Sequence, residues 1–227
     1  MNMRYDEEAD VRTDTAIKIM ALFFASIMFL AFTTDPIASG TKEGQRAPSL
    51  EGMSYNGTGW TEFNMDDWLV DNWTETNTTA EWLVVEFMDT DCGFCWEAAE
   101  KMGQYADYFS KTNTYEGEIW DGPVINFIAN VGELNIQGHE SSRAEIEAFR
   151  DKTGSEACAK GDCSNRPGNP HTFTYIDDLD LDNMDSWNTD GTPTYYLLQP
   201  DGIVAWVSSE NPNEELLGAI QRLTGGE

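Results

Sequence analysis

Two cysteines, Cys92 and Cys95, are separated by two residues in the segment DTDCGFCWEAAEKM at 89–102. An apolar run precedes the two cysteines, and apolar residues at helical spacing follow them. Cys92 therefore lies beside the N-terminus of a predicted helix that ends near Lys111. The unpaired N–H groups and the dipole at a helix N-terminus stabilise a thiolate, the attacking species in disulfide exchange. A cysteine one helical turn later can resolve the mixed disulfide, so the spacing indicates a redox dithiol. The charges of Asp89 and Asp91 oppose ionisation and no basic residue adjoins the pair, so the fall in the pKa of Cys92 should be modest if the helix terminus acts alone.

Glu86 interrupts the apolar run at 82–88, which otherwise has the pattern of a strand buried on both faces. An unpaired buried carboxylate is costly, so the pKa of Glu86 is expected to be raised. On a strand that leads directly to Cys92, this carboxylate is placed to take a proton from Cys95 during resolution. The alternative is an edge position at which Glu86 faces solvent.

The segment Gly191-Thr-Pro-Thr194 directly precedes a predicted strand. Proline cannot donate a hydrogen bond to the sheet, and a cis bond before Pro193 would place the backbone of Thr192 against the cysteine pair. In that position the backbone is ready to pair with an extended peptide. We therefore predict that Thr192 and Pro193 dock a protein substrate.

The other two cysteines, Cys158 and Cys163, lie in the segment 153–172, which is dense in Gly, Pro and Ser. This composition predicts an inserted loop. The pair is expected to close the loop as a structural disulfide in an oxidising compartment. The alternative is a second redox pair that exchanges electrons with the first.

Two other classes of function remain open from these residues. One is a metal-binding protein in which all four cysteines are ligands, or in which the first pair and His139 or His171 hold copper or zinc. The cysteine spacing matches no zinc signature. Both histidines are expected to be surface or loop residues, and we predict neither a metal nor a cofactor. The other class is a redox-inert binding module that uses only the groove beside the proline.

The predicted elements alternate between strands and helices, as in proteins whose parallel strands are joined by helical crossovers. Ser142 and Glu145 form a capping box that predicts the start of one helix. The fold class is therefore α/β. The other predicted elements are a hairpin turning at Asn56-Gly57, buried strands at 82–88 and 123–129, antiparallel strands at 194–198 and 203–207 joined by Gln199-Pro-Asp-Gly202, and a C-terminal helix at 216–223.

The 227 residues include 13 basic and 41 acidic side chains, which give a net charge of −28. This length suits one ordinary domain with appendages. The acidic residues are spread along the chain, so long-range repulsion opposes binding to nucleic acid, which we exclude as a partner. A solvated surface, suited to a salty medium in which charges are screened, explains the charge.

Residues 19–32 form an uncharged apolar segment, and the stretch 16–34 approaches the length needed to cross a bilayer. We predict an uncleaved transmembrane anchor that binds the chain to a lipid bilayer. Flanking basic residues favour a cytoplasmic N-terminus, which makes residues 1–15 a cytoplasmic tail. The alternative is a cleaved signal peptide.

The remaining residues divide into a linker at 35–46 and one domain at 47–227, which carries the insertion at 153–172. The anchor would place this domain outside the cytoplasm, where disulfides persist. Three Asn-x-Ser/Thr triplets then become glycan acceptors if the host glycosylates; the alternative is that a loop rich in Thr and Asn contains them by chance. They begin at Asn56, Asn72 and Asn77.

From about Gly44 to Leu223 the sequence resembles the thioredoxin superfamily, and within it the membrane-anchored, extracytoplasmic TlpA/ResA-like branch. The matching segments, in order, are GQRAPSL at 44–50, LVVEFMDTDCGFC at 83–95 and GTPTYYLLQPDGIV at 191–204, followed by a closing helix. The resemblance implies a thioredoxin fold, here with an N-terminal β-hairpin extension. It also implies thiol–disulfide exchange on protein substrates outside the cytoplasm, with a membrane protein as redox partner.

By the same resemblance, Cys92 is the nucleophile, Cys95 is the resolving cysteine and Glu86 is the buried acid. Thr192 and the cis-proline Pro193 would contact the substrate. Phe94, between the two cysteines, is assigned to the same surface.

The sequence departs from the family pattern around the cysteines. Asp91 stands where the family often has Trp, and Gly93-Phe94 replaces a pair that contains Pro. The Gly-aromatic pair is similar to that of periplasmic disulfide isomerases, so reduction, oxidation and isomerisation all remain open. DTDC lacks the Thr that peroxiredoxins place three residues before their reactive Cys, so peroxidase activity is not expected.

Overall fold

The computed structural model describes residues 3–33, 37–136 and 138–225. The chain divides into two compact units, a helix within Met1–Ile37 and a globular unit within Ala38–Glu227. Residues 1–2 of the predicted tail, 34–36 at the junction of anchor and linker, and 226–227 lie outside the described residues.

The globular unit combines a mixed sheet with helices on both faces. The helices are α1 (Met3–Thr33), α2 (Gly93–Phe109), α3 (Arg143–Asp151), α4 (Asp182–Ser186) and α5 (Leu216–Thr224), of which α1 belongs to the N-terminal unit. The strands are β1 (Glu51–Tyr55), β2 (Trp60–Asn64), β3 (Trp82–Met88), β4 (Ile125–Gly132), β5 (Ala157–Cys158), β6 (Gly161–Asp162), β7 (Thr174–Asp178), β8 (Thr194–Leu198) and β9 (Val204–Val207).

One seven-stranded sheet has the order β2-β1-β7-β4-β3-β8-β9. β3 lies inside it, parallel to β4 and antiparallel to β8. All seven residues of β3 are buried, because α2, α3 and α5 pack on one face and α4 packs on the other. β3, which leads to Cys92, therefore lies between the parallel strand β4 and the antiparallel strand β8, which follows Pro193. The predicted α/β class and thioredoxin fold are confirmed.

α1 contains a stretch, Thr13–Leu30, that is long and apolar enough to cross a membrane, with a mean hydropathy of 1.6. A signal sequence near the N-terminus has the same properties. The helix begins at Met3, so most of the predicted tail is helical rather than irregular. Lys18 and Asp14, four residues apart, form an ion pair at 2.5 Å that supports this first part of the helix.

Residues 38–46, assigned from the sequence to the linker, lie on the globular unit. The N–H of Gly44 donates to the carbonyl of Val204 at 2.8 Å, and the N–H of Val204 donates to the carbonyl of Gln45 at 2.8 Å. Arg46 Nη1 donates to the carbonyl of Asp201 at 2.6 Å. This short polar segment is ordered by backbone bonds to the β8–β9 turn, which its composition does not reveal.

Both predicted hairpins are confirmed, because β1 pairs with β2 across Asn56-Gly57 and β8 pairs with β9 across 199–202. The sequence did not indicate β7 or α4. β7 lies between β1 and β4, yet it ends in acidic residues that conceal the apolar pattern of an internal strand. Its buried Asp178 accepts a hydrogen bond from Asn130 Nδ2 at 2.6 Å, which makes a carboxylate tolerable there.

The insertion at 153–172 is a small unit closed by a disulfide. β5 pairs with β6, and Cys158 is bonded to Cys163 with their Cα atoms 5.0 Å apart. A short 3-10 helix, Cys163–Asn165, follows. The guanidinium of Arg166 is fully buried next to it and ties the insertion to α3. It donates to the carbonyl oxygens of Phe149, Arg150, Pro167 and Asn169.

Candidate active site

The thiol of Cys92 caps the first turn of α2. Asp89 shapes the turn before it, since its carboxylate accepts hydrogen bonds from the N–H groups of Asp91 at 2.7 Å and Leu134 at 2.9 Å. Cys92 has an extended backbone at the N-cap, and its Sγ accepts the N–H of Cys95 at 3.3 Å. Because the first N–H groups of a helix lack backbone partners, they stabilise negative charge on this sulfur.

The two thiols are held in opposite protonation states. A hydrogen bond from the Cys95 side chain, with smaller help from Thr192 and from the backbone of Phe94, lowers the pKa of Cys92 to about 6 against the opposing effect of burial. Burial raises the pKa of Cys95 far above that of an ordinary thiol, and its hydrogen bond to Cys92 raises it further. At neutral pH the pair therefore presents one thiolate and one thiol.

Glu86 lies on the same face of β3 as Val84 and Met88, and α2 covers this face. Its side chain is buried between two paired strands, which excludes the edge position left open by the sequence. Burial raises the pKa of Glu86 to about 8, whereas a hydrogen bond from Tyr195 acts to lower it. The charge of Glu86 in turn raises the pKa of Cys95, so the two groups are electrostatically coupled.

The peptide bond between Thr192 and Pro193 is cis, and β8 begins directly after it. The carbonyl oxygen of Thr192 lies 3.3 Å from Cys92 Sγ and accepts a hydrogen bond from it when the sulfur is protonated. Pro193 lines a cleft of about 360 Å³ between α2 and the start of α5. Phe94 is 73% exposed in the first turn of α2. The structure thus brings Thr192 beside Cys92 and leaves the ring of Phe94 exposed.

Tyr195 is a site residue that the sequence analysis missed. It lies opposite Glu86 in the antiparallel pairing of β3 with β8. Its position two residues after Pro193 is visible in the sequence, but the register that pairs it with Glu86 is not. Its hydroxyl group is the polar partner that the buried carboxylate requires.

The disulfide-closed insertion packs beside the dithiol. The N–H of Ala159 donates to the carbonyl of Thr90 at 3.1 Å, two residues before Cys92. Lys160 pairs with Glu97 of α2, and its side chain lies over the backbone of Gly93. Cys158 and Cys163 are bonded to each other, so they offer no thiolates to a four-cysteine metal site while the disulfide is closed.

The two histidines both lie in loops, as predicted, but they occupy different surroundings. His171 is 3% exposed, because its ring ties α2 to β7. Its Nε2 is 2.7 Å from the carbonyl of Ala99, and its Nδ1 is 2.6 Å from the hydroxyl of Tyr175. Burial lowers the pKa of His171 well below its usual value, so the ring is neutral and structural. His139 is 39% exposed in the loop between β4 and α3.

Glu145 makes one of the two hydrogen bonds of the predicted capping box, the one from its backbone N–H. Its N–H donates to Ser142 Oγ at 3.3 Å, which confirms the N-terminus of α3. Its carboxylate instead accepts a hydrogen bond from Thr90 Oγ1 and lies 3.2 Å from Nε2 of His139. Nδ1 of the same ring is 2.9 Å from Asp91 Oδ2. Asp91, His139 and Glu145 are therefore a set of side chains able to hold a cation.

The fold and the dithiol at the N-terminus of α2 define a thioredoxin-like protein. No family model matches the sequence, and no curated protein matches it. Among solved structures, the chain is similar to the reduced 2-Cys peroxiredoxin of Plasmodium vivax, with a TM-score of 0.49 and 16% identity over 76% of this chain and 72% of that one.

The chain is similar to two further solved structures. One is DsbF of Mycobacterium tuberculosis, in mixed oxidised and reduced forms, with a TM-score of 0.44 and 16% identity over 70% of this chain and 81% of that one. The other is the thioredoxin domain of a thiol–disulfide oxidoreductase from Bacteroides vulgatus, with a TM-score of 0.43 and 13% identity over 73% of this chain and 87% of that one. At these identities the similarity concerns the fold.

Proposed function

We propose that the protein is a thiol–disulfide oxidoreductase that acts on protein substrates through Cys92 and Cys95. The observation that carries this proposal is the asymmetry of the pair. One buried sulfur caps a helix with a pKa near 6, and its partner, one turn later, is a thiol at neutral pH. A structural cysteine pair has no need of such a difference, whereas exchange needs a ready nucleophile and a second thiol kept in reserve.

The reductive half-reaction balances with these two residues and one proton acceptor. The thiolate of Cys92 attacks one sulfur of a substrate disulfide, forms a mixed disulfide and expels the other substrate sulfur as a thiolate. Cys95 then loses its proton and attacks Cys92 Sγ, which releases the second substrate thiolate. The substrate gains two electrons, and the Cys92–Cys95 pair becomes a disulfide. Oxidation of a substrate follows the same steps in reverse.

We assign the proton of Cys95 to Glu86. With a pKa of about 8, roughly one Glu86 side chain in ten is ionised at pH 7, and this ionised form is a far better proton acceptor than an exposed glutamate, since its basicity is closer to that of the thiol. Tyr195 holds this carboxylate by a hydrogen bond. Thr192 and Pro193 would pair with the extended backbone of the substrate beside Cys92, and Phe94 would contact its side chains.

The location of the reaction is part of the proposal. The apolar stretch of α1 would span a bilayer and leave the globular unit outside the cytoplasm, in the arrangement of tail, anchor and domain given above. A closed Cys158–Cys163 disulfide beside a dithiol suits an oxidising compartment. The dithiol would then exchange electrons with protein substrates and with a membrane redox partner.

Insulin reduction and the refolding of a protein with scrambled disulfides test the proposal with the full chain in detergent. Wild type is expected to catalyse at least one of the two reactions, whereas Cys92→Ser is expected to catalyse neither. Cys95→Ser is the matched control, because it retains the nucleophile and should accumulate a mixed disulfide visible by mass spectrometry. Equal activity of wild type and Cys92→Ser in both assays would refute the proposal. Equilibration of the pair with glutathione assigns the direction of electron flow.

A further inference from the structure

Three ionisable side chains from different elements meet beside the redox pair. Asp91 precedes Cys92, His139 lies in the loop between β4 and α3, and Glu145 lies in the first turn of α3. One ligand atom from each residue can be chosen so that all of them lie within 4.8 Å of one another. The two carboxylate side chains are 2% and 4% exposed, whereas the imidazole is 39% exposed.

The hydrogen bonds around this group leave one carboxylate oxygen without a partner. Asp91 Oδ2 is buried and accepts no hydrogen bond from any residue of the described chain. His139 Nδ1 lies 2.9 Å away but makes no hydrogen bond with it. A buried carboxylate oxygen that accepts no hydrogen bond is costly, and the nearby imidazole offsets that cost only while it carries a proton. The oxygen is aimed at the other two side chains, so it points to a ligand between the three.

The other carboxylates nearby are already used by the backbone. Both oxygens of Asp89 accept N–H groups, as described above. The carboxylate of Glu133 accepts the N–H groups of Asn135 and Ser141. Of these four carboxylates, only those of Asp91 and Glu145 have oxygen atoms that accept no backbone hydrogen bond within the described residues, and both of these atoms face the imidazole of His139.

We propose that Asp91, His139 and Glu145 form a binding site for one Zn²⁺ ion. Zinc binds imidazole nitrogen and carboxylate oxygen at about 2.0–2.2 Å, which places two ligands of a tetrahedral ion about 3.3 Å apart. The three ligand atoms, within 4.8 Å of one another, need only a small inward movement to reach this separation. His139 is partly exposed and can rotate. Thr90 Oγ1 donates a hydrogen bond to Glu145 Oε1 and so orients the carboxylate towards the ion.

Such an ion would link three parts of the molecule. It would hold the turn that carries Cys92, the loop after β4 and the N-terminus of α3. The proposal is independent of the redox function, because none of its ligands is a cysteine. It also differs from the metal-binding alternative raised by the sequence, in which cysteines were the ligands.

The test is a titration of the full chain in detergent with Zn²⁺, and with Co²⁺ as a spectroscopic probe. Cys92→Ser and Cys95→Ser are introduced together, without reductant, so that no free thiol can bind the metal. One equivalent is expected to bind, and the Co²⁺ spectrum should lack thiolate charge-transfer bands. His139→Ala and Glu145→Gln are each expected to weaken binding by more than about tenfold.

Glu147→Gln is the matched control, because it makes the same change on the same helix, where the carboxylate bonds to Trp60 Nε1 instead. It should bind the metal as its parent does. Circular dichroism monitors folding, and Asp91→Asn supplies an independent ligand variant if one of the others unfolds. The proposal is overturned if the parent binds no ion, or if the ligand variants bind as tightly as Glu147→Gln. The first result would leave the imidazole of His139 as the partner of the two carboxylates, and the second would mean unspecific binding to the acidic surface.

Discussion

Replacing Glu86 by Gln should stabilise the fold while slowing the reaction. Burial raises the pKa of Glu86 from 4.5 to about 8, so the folded protein holds this proton more tightly than the unfolded chain does. Below pH 4.5 the carboxyl is protonated in both states and costs nothing. Between pH 4.5 and 8 the unfolded chain alone releases the proton, and the folded state loses about 1.4 kcal/mol of stability for each pH unit.

The loss of folding stability is calculated from the interval between the two pKa values of Glu86, 4.5 in the unfolded chain and about 8 in the folded protein. At pH 7 the loss in the wild type is about 3 kcal/mol, and above pH 8 it levels off at about 5 kcal/mol. Gln cannot ionise, so Glu86→Gln is expected to gain roughly these amounts of stability. It also loses the proton acceptor for Cys95, so resolution of the mixed disulfide should slow by a factor of about 100 or more. A buried functional group held at the expense of stability is a known trade-off.

Denaturant unfolding of the full chain at pH 4 and pH 7 measures the gain, and stopped-flow fluorescence measures resolution. Glu100→Gln, an exposed glutamate on α2, is the control and should show no pH-dependent difference from wild type. The reasoning fails if Glu86→Gln is no more stable than wild type at pH 7, or if its gain is the same at both pH values. An unchanged rate of resolution would remove Glu86 from the mechanism.

Three further changes have separate readouts. Tyr195→Phe removes the hydrogen bond that lowers the pKa of Glu86, so the midpoint of the pH dependence of resolution should rise; a profile that does not move would contradict this. Ser142→Ala removes the side-chain cap of α3 and should cost about 1 kcal/mol in urea unfolding, whereas an unchanged midpoint would exclude the cap as a stabilising contact. Replacing both Cys158 and Cys163 by Ser removes a disulfide of sequence separation 5 and should lower the free energy of unfolding by about 2 kcal/mol. Insulin reduction should be retained, and its loss would indicate that this disulfide is a second redox pair.

The parts of the site that follow from local sequence were predictable. The apolar run of β3, the helical spacing after it and the position of Cys92 between them are all set within about twenty residues. The hairpin at Asn56-Gly57 and the cap at Ser142 are equally local signals. Glu86 was recognisable as buried because a single carboxylate interrupts an apolar strand.

The parts that depend on distant contacts were not predictable. Tyr195 meets Glu86 only through the register of β3 with β8, and no feature of either strand alone sets that register. The insertion is held beside the dithiol by a backbone bond from Ala159 to Thr90 and by the ion pair of Lys160 with Glu97, which join segments far apart in the sequence. His171 has polar neighbours in the sequence and is nonetheless buried, because a backbone carbonyl and a tyrosine hydroxyl engage both of its nitrogens.

The pH dependence of alkylation by iodoacetamide tests the central claim most directly. Cys95 has a strongly raised pKa, so the reduced wild-type chain should react at Cys92 alone, as mass spectrometry of the labelled peptide would show. The account predicts that the rate rises with a midpoint near pH 6. A midpoint at about 8.5 or above, the value of an unperturbed thiol, or faster labelling of Cys95, would contradict it.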